Sequence, residues 1–409
     1  MKPLNATLSS IGTTIFTVMS ALAVRHGSIN LGQGFPDTDG PPDVLKAAAD
    51  ALMDGRNQYP PMTGVPELRQ AVAAANTRFY GLEFDPATEV VVTSGATEAI
   101  TACLMAIVEP GDEVVLIEPL YDTYAPVVRL LGAVPRFVRL SPPNWELPRA
   151  ELAAAFGPKT KAILLNTPMN PTGKVFTAAE LAFIADLLVR HDAYAVCDEV
   201  YEHLTFDGWY HIPLMTLPGL RDRVMRVGSA GKTFSLTGWK VGYVTASAPL
   251  ATAVAKAHQN LTFTTAPNLQ RAVAVGLAKD DDYFANLGLA LQAKRDRLAT
   301  GLASLGLAVL PTHGSYFITA DFAPLGFAGG DVAFCRHITE EAGVTAIPVT
   351  AFYDAPDPPR HYARFAFCKR EEVLDEAVAR LQRHFATRGS PDHPPGEGQG
   401  RPEALTAAG

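Results

Sequence analysis

A chain of 409 residues that is 48% hydrophobic can bury a large core and is long enough for more than one domain. Its charged residues, 19% of the total, sum to a formal net charge of −8, which leaves no basic stripe for nucleic acid or for an anionic membrane surface. The four cysteines, Cys103, Cys197, Cys335 and Cys368, lie far apart with no C-x-x-C pair, a usage that suits free thiols in a reducing cytosol.

From Met1 to Ser10 there is one lysine and no apolar run, so no signal peptide is expected. The apolar stretches farther on are shorter than a membrane span and carry charges. A cytoplasmic protein is therefore expected. The residues up to about Asp43 read as loop-rich. Val90 to Val92 read as a strand, followed by a helix through Ala99 to Ile107. Val114 to Ile117 and Ala162 to Leu165 read as further strands. Ala178 to Arg190 reads as a helix, with Thr177 as N-cap and Glu180 three residues on. Ala195 to Cys197, Val224 to Val227 and Val241 to Val244 read as strands. Continuous apolar runs separated by helices predict an α/β architecture with a mostly parallel sheet covered on both faces. From about Leu291 the pattern changes. A charged helix over Lys294 to Leu305, strands at Tyr316 to Thr319 and Arg364 to Phe367, and a helix from Glu371 to Phe385 predict a smaller α+β domain, against which the N-terminal segment is expected to pack. The tail, 387–409, is rich in Pro, Gly and Glu and is expected to be disordered.

Five segments could carry chemistry. Thr93 to Glu98 joins a strand to a helix through small residues, which exposes N–H groups at a helix N-terminus, a ready anion site. Asn166 to Gly173 follows a strand; Asn-Pro and Gly mark a turn in any case, and Asn170 is the group there that could meet a ligand. Asp198 ends an apolar strand. It is either an exposed cap or a functional acid at the carboxyl edge of the sheet, where open α/β folds bind ligands. In the second case it could keep a ring nitrogen protonated. Lys232 sits in a small-residue loop, Ser229-Ala230-Gly231-Lys232, after a strand. Ser-x-x-Lys also occurs in serine acyl-transfer enzymes, but their S-D-N and K-T-G partners are absent. Arg364 lies in a late apolar strand, where burial is costly without an anion; a carboxylate or an internal ion pair would satisfy it. The histidines show no metal-binding spacing, so no metal is expected. No G-x-G-x-x-G follows a strand, which argues against a nicotinamide dehydrogenase.

The order of these segments, from a phosphate turn through an Asn-Pro turn, a strand-end Asp and a Lys to a late Arg, resembles the class I aminotransferases of the type I pyridoxal-phosphate fold. The resemblance runs from about Thr14 to about Leu381. It is carried by Ile15-Phe16-Thr17, Ile29 to Asp37, Asn57 to Val65, Asn166 to Gly173, Val196 to His203 and Ser229 to Tyr243. Pro61 to Val65 and Tyr121 to Pro126 lean towards the methionine type, beside the kynurenine and glutamine type.

The resemblance implies a large pyridoxal-phosphate-binding domain over 44–290, with a mostly parallel seven-stranded sheet, and a small domain from 1–43 and 291–386. It implies that Lys232 holds pyridoxal 5'-phosphate as a Schiff base and serves as general base. Asp198 would pair with the pyridine nitrogen, Tyr201 and Asn170 with the ring oxygen, and Tyr121 would stack on the ring. Ala96, Thr97, Ser229 and Lys240 would hold the phosphate, with Tyr59 reaching it from the partner in a homodimer. Arg364 would clamp the substrate carboxylate, assisted by Gly34 and Asn170, while Phe16 and Phe263 wall the side-chain pocket. Many relatives place Arg where Lys240 stands; the kynurenine type also uses Lys. The reaction implied is ping-pong transfer of the amino group of a neutral amino acid to a 2-oxo acid. Two alternatives are a cysteine-conjugate β-lyase of the same fold and a catalytically silent cofactor-binding regulator. The latter would be marked by loss of Lys232 or Asp198, and both are present.

Overall fold

The computed structural model describes residues 2–54 and 57–388. In chain order its strands are β1 (Ile29–Asn30), β2 (Val90–Thr93), β3 (Glu113–Glu118), β4 (Val134–Arg139), β5 (Thr160–Asn166), β6 (Tyr194–Asp198), β7 (Val224–Ser229), β8 (Gly242–Thr245), β9 (Ala308–Val309), β10 (Phe317–Asp321), β11 (Val344–Thr345), β12 (Ile347–Pro348) and β13 (Tyr362–Ala366). β2 to β8 form one seven-stranded sheet in the order β2-β8-β7-β6-β5-β3-β4. The run from β7 to β4 is parallel, and β8 runs against both of its neighbours.

Six of these strands coincide with the apolar runs of the sequence; β4 does not. As an edge strand it needs only one paired side. It carries Pro135, Arg136 and Arg139, and only one of its six residues, Val138, is fully buried, which suits an edge and blunts it against pairing with another chain. The inner strands feed both faces by simple alternation. Val115, Ile117, Ile163, Leu165, Ala195 and Cys197 enter one core, while Val114, Leu116, Ala162, Leu164 and Val196 enter the other. Burying each of the Val, Leu and Ile side chains among these contributes about 1.5–3 kcal/mol.

The helix Ala178–Arg190 starts as its sequence requires. The Thr177 hydroxyl accepts from the Glu180 N–H at 3.2 Å, and the Glu180 carboxylate accepts from the Thr177 N–H at 2.9 Å, a reciprocal cap. The N-terminal segment is less loop-like than its composition suggests. Ile15–His26 is helical, capped by the Thr14 hydroxyl and stopped by Gly27 in the left-handed region at φ 59°. Met19 and Leu22 of this helix join a third core, and β1 pairs in parallel with β11. That core also underlies the antiparallel sheet β12-β13-β10-β9.

The charged helix expected from Lys294 begins earlier, at Asp281, and runs to Ser304. Asp280 caps it, and Asp281 and Asp282 in its first turn favour that start. This helix crosses residue 290: Phe284 packs with the large sheet, and Leu291, Leu298 and Leu302 pack with the smaller one. The last helix, Glu371–Arg388, includes the first two residues of the expected tail; 389–409 lie outside the described residues. Among the described residues no helix is long and apolar enough to cross a membrane.

Gly242 is the contact that positions the site. It pairs with Thr93 of β2 on one side and Ser229 of β7 on the other. A Cβ there would lie 2.6 Å from the Gly95 carbonyl carbon, so only glycine lets β8 slip between the two strand ends. The turn after β2 and the lysine loop after β7 are thereby brought side by side.

Candidate active site

The carboxyl ends of β2, β3, β5, β6 and β7 share one edge of the sheet. They border a cavity of about 430 Å³ that β13 closes from the other sheet by presenting Arg364. The sequence-derived residues Phe16, Gly34, Ala96, Thr97, Tyr121, Asn170, Asp198, Tyr201, Ser229, Lys232, Lys240 and Arg364 all line it. Tyr59 and Phe263 do not. They pack on each other at the surface, edge to face with ring centres 5.4 Å apart, and Tyr59 is 82% exposed. Within one chain, then, Phe263 is not a wall of the cavity.

Asp198 is buried. One carboxylate oxygen accepts from the Tyr124 hydroxyl at 2.5 Å. The other has only a long, 3.4 Å contact with the Val200 N–H. Loss of water pushes its carboxyl above the usual carboxylate range, although the Tyr124 hydrogen bond opposes this. A cationic or N–H-bearing group at its free face would relieve that cost.

Lys232 follows β7 on a single short turn, Ala230–Thr233, where the Ser229 hydroxyl accepts from the Gly231 N–H at 3.2 Å. Its amine opens on the cavity, donates weakly to the Gly34 carbonyl at 3.3 Å, and stands 5.7 and 5.5 Å from the Tyr201 and Tyr316 ring centres. Enclosure by protein pulls its pKa down to about 8, so far more of the amine is neutral near pH 7 than in a free lysine.

At the anion turn, the Glu98 carboxylate accepts from the Ser94 N–H at 2.6 Å, and the helix Gly95–Ile107 begins there with its first N–H groups toward the cavity. Lys240, in the left-handed region at φ 53°, stands against Gly95, where an added Cβ would lie 3.1 Å from its Cε.

Arg364 is 2% exposed. Its guanidinium donates to the Asn170 side-chain oxygen at 2.8 Å and to the Gly32 carbonyl at 2.5 Å. The Phe317, Phe352 and Phe16 rings lie 3.9, 4.8 and 5.4 Å from its central carbon. Its Nε has no partner, and burial pulls it below the usual guanidinium range. No internal ion pair satisfies it among the described residues. An incoming carboxylate would.

Tyr124 and Asn166 are among the lining residues that carried no role in the sequence reading. Tyr124 is the partner of Asp198, and its position three residues after Tyr121, at the start of a helix, is the signal that could have marked it. Asn166 donates to the Asp198 carbonyl at 2.9 Å and accepts from the Asn170 N–H at 2.8 Å, tying two strand ends together. Among the described residues no cluster of three His, Cys, Asp or Glu could hold a metal ion.

A family profile described as "Aminotransferase class I and II" matches residues 27–381. The chain is 47% identical over 384 residues to "Probable N-succinyldiaminopimelate aminotransferase DapC" of Mycobacterium tuberculosis, covering 91% of this chain and 96% of that protein. It is 41% identical over 375 residues to "Methionine aminotransferase" of Escherichia coli strain K12, covering 92% and 97%. The solved structure of N-succinyldiaminopimelate aminotransferase from Mycobacterium tuberculosis superposes with a TM-score of 0.91, over 93% of this chain and 100% of that one.

Proposed function

The chain belongs to the class I and II aminotransferases, a family that works with pyridoxal phosphate, and on that premise we propose that it moves the amino group of an uncharged L-amino acid to a 2-oxo acid. Methionine is the foremost donor, with glutamine, aromatic amino acids and kynurenine also accepted. One observation carries this reading: a single cavity joins an amine with a depressed pKa, a buried acid with a free face, and a buried guanidinium with an unpaired N–H.

The residues fit the cofactor. A phosphate dianion suits Lys240, the Ser229 hydroxyl and the N–H groups of Ala96 and Thr97, and a protonated ring nitrogen suits the free face of Asp198. Tyr201 and Asn170 would hold the ring oxygen, and Tyr121 would cover the ring. When bound, pyridoxal phosphate supplies a sink for the electrons of the substrate's α-C–H bond. The chain's own residues do the rest. Arg364 binds the α-carboxylate through two N–H groups, assisted by Gly34 and Asn170, and so fixes which bond at the α-carbon faces Lys232. Neutral Lys232 takes the α-proton at Nζ and later returns it. Asp198 keeps the ring nitrogen charged, and Tyr124 keeps Asp198 aimed. In this scheme 44–290 is the cofactor-bearing unit, and 1–43 with 291–386 the smaller one.

The 47% relative favours a second donor, N-succinyldiaminopimelate. That substrate needs a further cation for its remaining carboxylates. The cavity's three cations, Lys232, Lys240 and Arg364, already have work in the scheme. The deciding experiment compares kcat/KM for methionine, glutamine, phenylalanine, kynurenine, aspartate and N-succinyldiaminopimelate under one acceptor. Methionine or another uncharged donor is expected to lead. A wide lead for either acidic donor would end the reading.

We further infer a cytoplasmic homodimer. All four cysteines are free and buried, which supports a reducing compartment. The exposed Tyr59–Phe263 pair supports an interface in which Tyr59 reaches the neighbour's phosphate and Phe263 the neighbour's side-chain pocket. Mixing Tyr59→Ala and Lys232→Ala proteins, each of low activity, should then restore activity through hybrid dimers carrying one intact site. A fully active monomer in dilute solution would contradict this.

A further inference from the structure

We propose that Asp122 sets the charge selectivity of this enzyme for the substrate side chain, by repelling a second carboxylate and favouring side chains that are uncharged or donate an N–H. The inference rests on the aminotransferase reading above and adds to it a residue with no role so far.

Five charged side chains line the cavity: Lys232, Lys240, Arg364, Asp198 and Asp122. In the proposed scheme Lys240 would hold the phosphate, Asp198 the protonated ring nitrogen and Arg364 the substrate's α-carboxylate, while Lys232 would serve as the neutral base. Asp122 is the remaining charge. It follows Tyr121 in the segment after β3 and lines the same cavity as Arg364. Burial raises its carboxyl above the usual range; the positive charge of Arg364 opposes this, as do hydrogen bonds from Thr123 and from its own backbone N–H. Once an α-carboxylate occupies Arg364, that compensation is spent. Asp122 is then the one charged side chain of the cavity left without an assigned partner, and the same cavity is lined by the Phe16 and Phe317 rings. A distal carboxylate would meet like charge where little water screens it, whereas a carboxamide or arylamine would meet an acceptor. Selectivity of this kind comes from a group that rejects the wrong ligand as much as from contacts with the right one.

Glutamine and glutamate have nearly the same shape and differ in charge, so they isolate the effect. The holoenzyme is assayed for kcat/KM with both under one acceptor, in the wild type, Asp122→Asn and Asp122→Glu. Binding of glutarate and butyrate is measured by calorimetry on the same proteins. Asp122→Asn is expected to lower the glutamine-to-glutamate ratio by at least about tenfold, equivalent to about 1.4 kcal/mol, and to tighten glutarate relative to butyrate by a similar factor. Asp122→Glu should keep the wild-type preferences. If Asp122→Asn fails to load cofactor, Asp122→Ser is the second neutral variant. Ratios within twofold of wild type in a loaded, folded neutral variant would overturn the proposal. If the wild type transaminates no uncharged amino acid, the donor reading fails instead, and the glutarate–butyrate comparison still decides the role of Asp122.

Discussion

Lys232→Ala is expected to take up pyridoxal phosphate and yet turn over amino acids at least about 10⁴-fold more slowly than the wild type. Two functions end together: the covalent hold on the cofactor, and the base that moves the α-proton, which alone contributes about 10²–10⁴-fold. The other contacts of the site do not depend on this side chain. Ser229 still receives the Gly231 N–H, and Arg364 still holds Asn170 and Gly32. Lys232 makes one weak hydrogen bond, to Gly34, so its loss should leave the unfolding temperature nearly unchanged. The checks are the visible absorption band of the loaded protein, which should differ from the wild type's, and steady-state turnover. Wild-type rates in the variant would sink the hypothesis.

Asp198→Ala is expected to lower turnover by several orders of magnitude while the phosphate contacts retain the cofactor. The acid lends its charge to the ring nitrogen, and each unit by which that nitrogen's pKa falls withdraws about 1.4 kcal/mol of support from the protonated ring. A purely structural cap would behave differently. Capping requires a good bond to a backbone N–H, and the Asp198–Val200 contact of 3.4 Å is near the limit of what counts as a hydrogen bond. The strong contact is with the Tyr124 hydroxyl, which orients the carboxylate without using its other oxygen. Turnover in Asp198→Asn should also fall far, because the amide keeps the shape and loses the charge. Near-normal rates in both variants would mean that Asp198 is only a cap.

Lys232, Asp198, Asn170, Tyr201 and Arg364 were legible in the sequence because each stands at a strand end or within a strand whose apolar run is unmistakable. Their spacing along the chain reports the edge of the sheet they share. Tyr124 and Asn166 were harder to read, since their partners are other site residues and no local pattern announces a tyrosine that bonds a carboxylate 74 residues away. β4 escaped notice because an edge strand needs no continuous apolar run. The helix Ile15–His26 escaped because its apolar face has no neighbour in the nearby sequence; Met19 and Leu22 are buried by residues of the distant small core. Phe263 was named from the sequence, but its placement outside the cavity was not. Its motif says that it matters to a pocket, and the fold turns it outward, away from the cavity of its own chain.

The Arg364–Gly32 bond joins residues 332 positions apart, and β1 waits for β11 in the same way. During translation the first forty residues emerge long before their partners exist. At about 5–20 residues per second, the interval between the two ends of that bond is roughly 15–65 s. Through that time Met19, Leu22 and Leu31, all buried in the finished fold, lack the late members of their core, among them Phe317, Val344 and Phe365. The guanidinium that closes the cavity is installed only when synthesis is nearly complete, so in the proposed scheme a truncated polypeptide ending before Arg364 would be catalytically idle even if its sheet had formed.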